Sequence, residues 1–187
     1  MKKQIITVAG LLGSGKSSTA KAVATSLGFK HFSSGDLFRQ IAKERGMSVE
    51  AMNLTAEAQK DIDHRVDELL QEMYTSEEKI VIDSRMAWHW MPESFKIFLI
   101  LDPETASHRI FDHLRDGGRV SEDASSPEEV RASIDRRFAS EQKRYMDLYG
   151  VNPTDPLNFD MVLNTRHNNL ETISAMVLAG FEVWKKQ

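Results

Sequence analysis

The sequence predicts a three-layer α/β/α sandwich around a five-stranded parallel sheet, in a single domain. Apolar, β-branched runs recur at residues 5–9, 79–83 and 95–101, as expected for strands that are covered on both faces. Helix-forming segments with capping signals separate these runs, and strands that alternate with helices favour a parallel sheet with right-handed connections. A chain of 187 residues is the usual length of one such domain.

The first half of the chain begins with a buried strand over residues 5–9, which ends at Gly10. A helix is predicted over residues 16–27, because good helix formers fill this segment and Gly28 follows as a C-terminal stop signal. A short second strand is predicted next, at residues 30–33. Three further helices are predicted over residues 36–45, 48–57 and 59–75.

The second half carries the other three predicted strands, at residues 79–83, 95–101 and 159–163. A helix over residues 103–115 precedes a polar, glycine-containing stretch at residues 116–126, which is the clearest loop in the chain. Ser126, Pro127 and Glu129 form a capping sequence for a long helix that ends near Gly150. A last helix is predicted over residues 169–184.

The composition excludes several classes of function. Because the chain contains no cysteine, it has no disulfide framework, no cysteine-ligated zinc, no iron–sulfur cluster and no thiol catalysis. The net charge of -4 gives no indication of a nucleic-acid-binding surface. None of the six histidines has the spacing of a metal-ligand set, so no histidine is assigned to a metal.

The N-terminus only superficially resembles a signal peptide. Lys2 and Lys3 precede an apolar run over residues 5–12, but this run is short and lacks a small-residue cleavage site. No stretch approaches the ~20 apolar residues that a membrane helix needs. We therefore expect a cytoplasmic, monomeric protein that contacts neither membrane nor nucleic acid.

A phosphate-binding motif lies between the first strand and the first helix. The segment matches G-x-x-x-x-G-K-[ST], which identifies the sandwich as a P-loop NTPase fold. Its glycines allow backbone N–H groups to approach a phosphate, and the helix N-terminus adds positive charge. Lys16 is placed for the β- and γ-phosphates, and the Ser17 hydroxyl for Mg²⁺. The predicted donor site comprises Gly10, Leu11, Leu12, Gly13, Ser14, Gly15, Lys16, Ser17 and Ser18.

The end of the third strand favours phosphoryl transfer over hydrolysis. The guanine-reading N-K-x-D motif of regulatory GTPases is absent, and no carboxylate follows Asp83 to activate water. Asp83 is predicted to serve the metal together with Ser17. Arg85 stands two residues later, and arginine is the residue suited to bidentate phosphate contacts. The acceptor is therefore predicted to carry a phosphate.

Arginine is concentrated between residues 109 and 144, where seven of the twelve arginines lie among eight acidic residues. Because the acidic residues make this segment nearly neutral, its distinguishing feature is the number of guanidinium groups rather than a net positive charge. Arg137 and Arg144 are seven residues apart on one helix face, where they could bracket a polyphosphate. The alternative is a solvated helix with spaced pairs such as Arg131 and Asp135.

The segment from Ser33 to Arg39, S-S-G-D-L-F-R, resembles the nucleoside-monophosphate kinases. The chain as a whole is most similar to the short-lid cytidylate kinase family of archaea and some bacteria. The segments that carry this resemblance include the P-loop, the S-x-G-D-x-F-R segment, Asp61-Ile62-Asp63 with Asp67, Arg85, Arg137, Arg144-Tyr145 and residues 159–165.

The resemblance implies specific roles and a strand order of 2-3-1-4-5. Arg39 and Arg85 would hold the α-phosphate of the acceptor, while Arg137 and Arg144 would stabilise the transferring phosphoryl group. The implied catalytic set comprises Lys16, Arg85, Arg137 and Arg144. It also implies one P-loop kinase domain over residues 1–187, with a monophosphate-binding helical region at about 34–75 and a lid at about 116–126.

Three departures from the family pattern bear on the acceptor base. This chain has Ser84 where the family commonly has glycine before the arginine, and residues 86–91 are unusually aromatic. Residues 117–120 are more similar to the lid entry of adenylate kinases than to the shortest cytidylate kinase lids. These departures keep AMP and UMP open as alternative acceptors.

Candidate residues for the acceptor nucleotide follow from the chemistry of cytosine, whose N4 amine is a hydrogen-bond donor. A carboxylate would recognise it, and Asp63 is the first choice, with Asp67 one turn further along. The alternative is a solvated acidic helix face. Ser34, Gly35 and Asp36 complete the predicted acceptor site; the competing role for Asp36 is a helix N-cap. Trp88, His89 and Trp90 either stack on a base or, as the favoured alternative, pack on the sheet.

The predicted function is Mg²⁺-dependent transfer of the γ-phosphate of ATP to CMP or dCMP, which gives the nucleoside diphosphate. A small-metabolite kinase of the shikimate or gluconate type is a second alternative, although its uncharged hydroxyl acceptor would not need Arg39 and Arg85. A nucleotide-binding module without transfer activity is a third.

Overall fold

A computed structural model of the chain, which describes residues 3–58, 61–116 and 124–187, has a five-stranded parallel sheet at its centre. The strands are β1 (Gln4–Gly10), β2 (Lys30–Ser33), β3 (Lys79–Asp83), β4 (Phe95–Ile100) and β5 (Met161–Asn164). Their order is β2-β3-β1-β4-β5, and every neighbouring pair is parallel. The predicted fold and strand order are confirmed.

Eight α-helices lie in the described part of the chain. They are α1 (Lys16–Leu27), α2 (Ser34–Glu44), α3 (Val49–Ala58), α4 (Asp61–Ser76), α5 (Ala87–Trp90), α6 (Pro103–Arg115), α7 (Pro127–Tyr149) and α8 (Leu170–Trp184). Short α5 was not predicted; it forms from the aromatic segment after β3. Within the described residues, no helix combines the length and the apolar character needed to cross a membrane.

Capping side chains set the start of two helices that frame the site. Helix α7 begins as predicted, since the Ser126 hydroxyl accepts a hydrogen bond from the backbone N–H of Glu129. Helix α2 begins earlier than predicted, because Ser33 is its N-cap and accepts from the N–H of Asp36. The interpretation of Asp36 as an N-cap is therefore wrong.

The core lies on both faces of the sheet, because alternate residues of β1 point in opposite directions. On one face, fully buried Ile6 and Val8 pack with α1 and α8. On the other face, Ile5 packs with Leu70 of α4 and with α5. These two layers fix the carboxyl ends of the strands at a common edge.

Strand register then brings polar residues together at that edge. Ser33 at the end of β2 pairs with Asp83 at the end of β3, and Val8 of β1 pairs with the same aspartate. The P-loop leaves β1 at this level. The predicted lid at 116–126 falls largely outside the described residues, so it stays a prediction.

Candidate active site

A cavity of about 430 Å³ opens at the carboxyl edge of the sheet. Its walls come from the P-loop, the end of β3 and helices α2, α4, α6 and α7. Fourteen predicted site residues line it: Leu12, Gly13, Gly15, Lys16, Ser17, Ser18, Ser34, Gly35, Arg39, Asp63, Asp83, Arg85, Arg137 and Arg144. Residues from five separated segments of the sequence thus surround one space.

The P-loop provides the cradle from which α1 begins. Gly13 and Gly15 have φ angles of 74° and 85°, a left-handed conformation that glycine adopts without strain. The Lys16 ammonium donates to the Leu11 carbonyl at 2.8 Å, within the loop. Burial and the nearby Arg85 guanidinium lower the pKa of Lys16 to about 7. An anionic phosphate in the cavity would favour the charged lysine.

Asp83 is the centre of a hydrogen-bonded group at the end of β3. Its Oδ2 accepts from the Ser17 hydroxyl at 2.6 Å and from the Ser33 hydroxyl at 3.0 Å, while His31 Nε2 lies 2.8 Å from Oδ1. Burial acts to raise the pKa of Asp83, but these three hydrogen bonds outweigh it and hold the pKa below its usual value. Asp83 and Ser17 are therefore adjacent, and their assignment to a metal stays a prediction.

Arg85 forms an ion pair that the sequence analysis did not include. Its Nε contacts the carboxylate of Glu141, which is buried on α7. Its Nη2 is also buried and has no hydrogen-bond partner within the described residues. Glu141 thus fixes the orientation of the guanidinium while a donor remains for an anion in the cavity.

Arg144 and Asp63 form a buried ion pair across the cavity, with 2.7 Å between Arg144 Nε and Asp63 Oδ2. Both side chains are less than one-tenth exposed, and Arg144 Nη1 has no hydrogen-bond partner within the described residues. Burial raises the pKa of Asp63 to about 6, even though the Arg144 guanidinium acts in the opposite direction. Asp63, which is predicted to recognise the base, therefore contacts Arg144, which is predicted to bind the transferring phosphoryl group.

This pKa gives a testable dependence of stability on pH. Between pH 3.8 and about pH 6, Asp63 binds more protons in the folded protein than in the unfolded chain. Its contribution to the free energy of unfolding therefore falls as the pH rises through this range. We expect Asp63→Asn to remove this decline. Urea unfolding of both proteins at intervals between pH 4 and pH 7 measures it, and parallel stability curves over that range would contradict the assignment.

The start of α2 presents Arg39 to the cavity. Its Nη2 contacts the carboxylate of Asp36, and a Cβ at Gly35 would lie 3.4 Å from its Nη1. The glycine of the S-x-G-D-x-F-R segment therefore leaves room for the guanidinium to lie beside the helix start. Asp36 itself is exposed and does not line the cavity, so its contact with Arg39 is its link to the site.

Trp88, His89 and Trp90 of the aromatic segment after β3 do not line the cavity, which agrees with the packing alternative for these three residues. Trp88 packs against Phe159 with 5.6 Å between ring centroids. Trp90, however, donates its Nε1–H to Asp67 at 2.8 Å, and Asp67 does line the cavity. The Tyr149 hydroxyl donates to the other oxygen of the same carboxylate.

Three further predicted donor-site residues, Gly10, Leu11 and Ser14, do not line this cavity. Ser14 is buried and its hydroxyl donates to the Leu11 carbonyl, so it supports the loop from inside. Several other residues that line the cavity were not among the predicted site residues: Phe38, Arg109, His113, Glu141 and Tyr145. Glu141 stands four residues after Arg137 on α7, and that spacing gives no sign of its contact with Arg85.

Comparison with known proteins agrees with this geometry. Residues 5–167 match the sequence profile of the cytidylate kinase-like family. The chain belongs to this family. A cytidylate kinase of Thermoplasma volcanium is 33% identical over 92% of this chain and 88% of its own length. A cytidylate kinase of Pyrococcus horikoshii is 34% identical over 96% of this chain and 89% of its own length.

A solved structure with the same fold comes from a different kind of kinase. Shikimate kinase from Bacteroides thetaiotaomicron has a TM-score of 0.64 with this cytidylate kinase-like chain, over 97% of this chain and 98% of its own. At 16% identity this likeness concerns the fold alone. It supports the P-loop kinase architecture, and it leaves the acceptor to be argued from the residues of the cavity.

Proposed function

We propose that this protein transfers the γ-phosphoryl group of ATP to CMP, which yields ADP and CDP. The observation that carries the proposal is the convergence of Lys16, Arg39, Arg85, Arg137 and Arg144 on one cavity beside the P-loop. Such a set of cations suits two facing phosphate chains, because guanidinium groups bind phosphate oxygens through charge-assisted, often bidentate hydrogen bonds. Membership of the cytidylate kinase-like family supports the same reaction.

The transfer requires little covalent chemistry from the protein. An oxygen of the CMP α-phosphate attacks the γ-phosphorus of ATP, the bond from that phosphorus to the β,γ-bridging oxygen breaks, and ADP leaves with the electron pair. Because the attacking oxygen is already anionic, no general base is needed. We assign Arg39 and Arg85 to the acceptor phosphate, and Lys16, Arg137 and Arg144 to the charge on the transferring group.

The residues at the end of β3 fit a magnesium ion. The Ser17 hydroxyl and the Asp83 carboxylate lie 2.6 Å apart at the cavity wall, and no cluster of three acidic or histidine ligands occurs in the described ranges. This set suits Mg²⁺, which in kinases is held by one or two carboxylates together with phosphates and water. When bound, the ion neutralises charge on the β- and γ-phosphates.

A coupled assay of nucleoside diphosphate formation tests the proposal. Mg·ATP is combined in turn with CMP, dCMP, UMP, AMP, GMP and shikimate at equal concentrations. We expect CMP or dCMP to give the highest kcat/KM. Shikimate as the best acceptor would indicate a small-metabolite kinase, and ATP binding without turnover of any acceptor would indicate a binding module.

The contact of His31 with Asp83 predicts an effect on magnesium that is separable from nucleotide binding. His31→Ala removes the group that fixes Asp83 Oδ1, so we expect the Mg²⁺ concentration for half-maximal activity to rise about tenfold, as for other residues that orient metal ligands. Calorimetric affinity for ATP should fall in Mg²⁺ and stay unchanged in EDTA.

Two control variants test whether the effect of His31→Ala comes from the lost contact with Asp83. His31→Gln retains a side-chain donor and should recover part of the magnesium affinity, while His108→Ala removes an exposed histidine outside the cavity and should have no effect. An equal loss of ATP affinity with and without Mg²⁺ in His31→Ala would show that His31 acts on the fold of the site rather than on the metal.

A further inference from the structure

Asp63 and Asp67 are one helical turn apart on α4 and both line the cavity, but their partners differ. Asp63 is ion-paired with the Arg144 guanidinium. Asp67 accepts hydrogen bonds from the Trp90 indole and the Tyr149 hydroxyl, which are both neutral. The negative charge of Asp63 is therefore compensated by a cation, whereas that of Asp67 is only solvated by neutral donors.

Helix α4, which carries Asp67, and helices α5 and α7 together fix the position of the Asp67 carboxylate. Trp90 comes from α5, Tyr149 is the last residue of α7, and their rings meet edge to face with 5.7 Å between centroids. Asp67 as a whole residue is 6% exposed, so its carboxylate has little freedom to turn. Each carboxylate oxygen has two acceptor positions, and Trp90 and Tyr149 occupy only one on each oxygen. An acceptor position therefore remains for a ligand in the cavity.

We propose that Asp67, held in place by Trp90 and Tyr149, is the residue that recognises the exocyclic amine of the acceptor base, and that Asp63 instead orients Arg144. This inference rests on the proposed function. A fixed, uncompensated carboxylate accepts a hydrogen bond from the N4 amine of cytosine and repels the O4 carbonyl of uracil. The aromatic segment after β3, which has no place in the phosphate chemistry, acquires a role as the support of this carboxylate.

The experiment compares kcat/KM for CMP and UMP in two asparagine variants. Asp67→Asn replaces an acceptor by an amide that can donate to uracil O4, so we expect the CMP/UMP preference to fall about tenfold to a hundredfold, the range for loss of a hydrogen bond to a charged group. Asp63→Asn should instead lower kcat for both nucleotides and leave their ratio unchanged, since it acts through Arg144.

The supporting residues are tested with variants that keep each ring. Trp90→Phe and Tyr149→Phe remove only the donors to Asp67, so KM for CMP should rise several-fold and the CMP/UMP preference should fall, with kcat and KM for ATP unchanged. A residue with a merely structural role would not change KM for one substrate alone. Trp184→Phe, which alters a tryptophan packed on Phe181 in α8, is the matched control.

The outcomes separate this inference from the proposed function. An unchanged CMP/UMP preference in folded Asp67→Asn, or a loss of preference in Asp63→Asn instead, overturns the inference while transfer to CMP stands. If Asp67→Asn does not fold, the two phenylalanine variants decide, and an unchanged KM for CMP in both overturns it. A wild-type protein that phosphorylates neither CMP nor UMP refutes the proposed function itself.

Discussion

Arg137→Ala is expected to lower kcat about a thousandfold while it leaves the free energy of unfolding almost unchanged. Arg137 lines the cavity on the same face of α7 as Arg144, two turns away. Arginines that neutralise charge in phosphoryl transfer contribute about 10³–10⁵ in rate. Because the side chain is half-buried and lines the cavity rather than belonging to a hydrophobic core cluster, its truncation should cost little packing. Steady-state kinetics with saturating nucleotides and urea unfolding measure the two quantities.

Arg131→Ala is the matched control, because Arg131 lies on the same helix and pairs with Asp135 at 3.0 Å on the exposed side. An exposed pair of this kind contributes only about 0–1 kcal/mol, and it does not face the cavity. We expect near wild-type kcat and stability for this variant. Equal rates in Arg137→Ala and Arg131→Ala would refute the assignment of Arg137 to the transferring group.

Gly10→Ala is expected to destabilise the protein by about 3 kcal/mol or more, close to the upper range of overpacking effects. A Cβ at Gly10 would lie 2.4 Å from the carbonyl oxygen and 2.9 Å from the nitrogen of Leu99. These are backbone atoms of β4, which is held between β1 and β5 and cannot move aside. Thermal unfolding should show a Tm lower by about 10 °C, or the protein should fail to accumulate in soluble form.

Gly15→Ala provides the contrast within the same motif. Among the described residues other than its chain neighbours, none has an atom within 4 Å of a Cβ at Gly15, and the φ of 85° imposes a cost of only about 1–2 kcal/mol. This variant should therefore fold and lose affinity for ATP, because the new methyl group projects from a residue that lines the cavity. Similar losses of stability in Gly10→Ala and Gly15→Ala would contradict this division of roles.

Local signals were sufficient for most of the fold. The buried strands were predictable because both of their faces meet helices, which leaves continuous apolar runs such as β3 and β4. Helix α7 was predictable from residue types alone, since a serine cap, a proline at the first position and a final glycine each act on the neighbouring backbone. The strand order followed from the resemblance to monophosphate kinases. The local sequence does not show which strands become neighbours when a crossover helix connects them.

The phosphate site was predictable for a similar reason. The P-loop, Lys16 and the Ser17 hydroxyl are consecutive in sequence, and a single turn between β1 and α1 fixes their geometry. The distinction between Gly10 and Gly15 was not predictable, because the motif treats them alike. The pairing of β1 with β4 places Gly10 against the backbone of Leu99. Gly15, in contrast, lines the cavity.

What the sequence alone determined is therefore the layered α/β architecture and the P-loop, which short-range chemistry encodes, together with the strand order and the set of arginines, which the family resemblance implied. Tertiary structure decided which charges meet: Arg85 with Glu141, Arg144 with Asp63, and Asp67 with Trp90 and Tyr149. These partners are distant in sequence, and their side chains could equally have faced solvent. Their pairing follows from the way α4, α5 and α7 close over the sheet edge, where burial makes an uncompensated charge costly and selects specific partners.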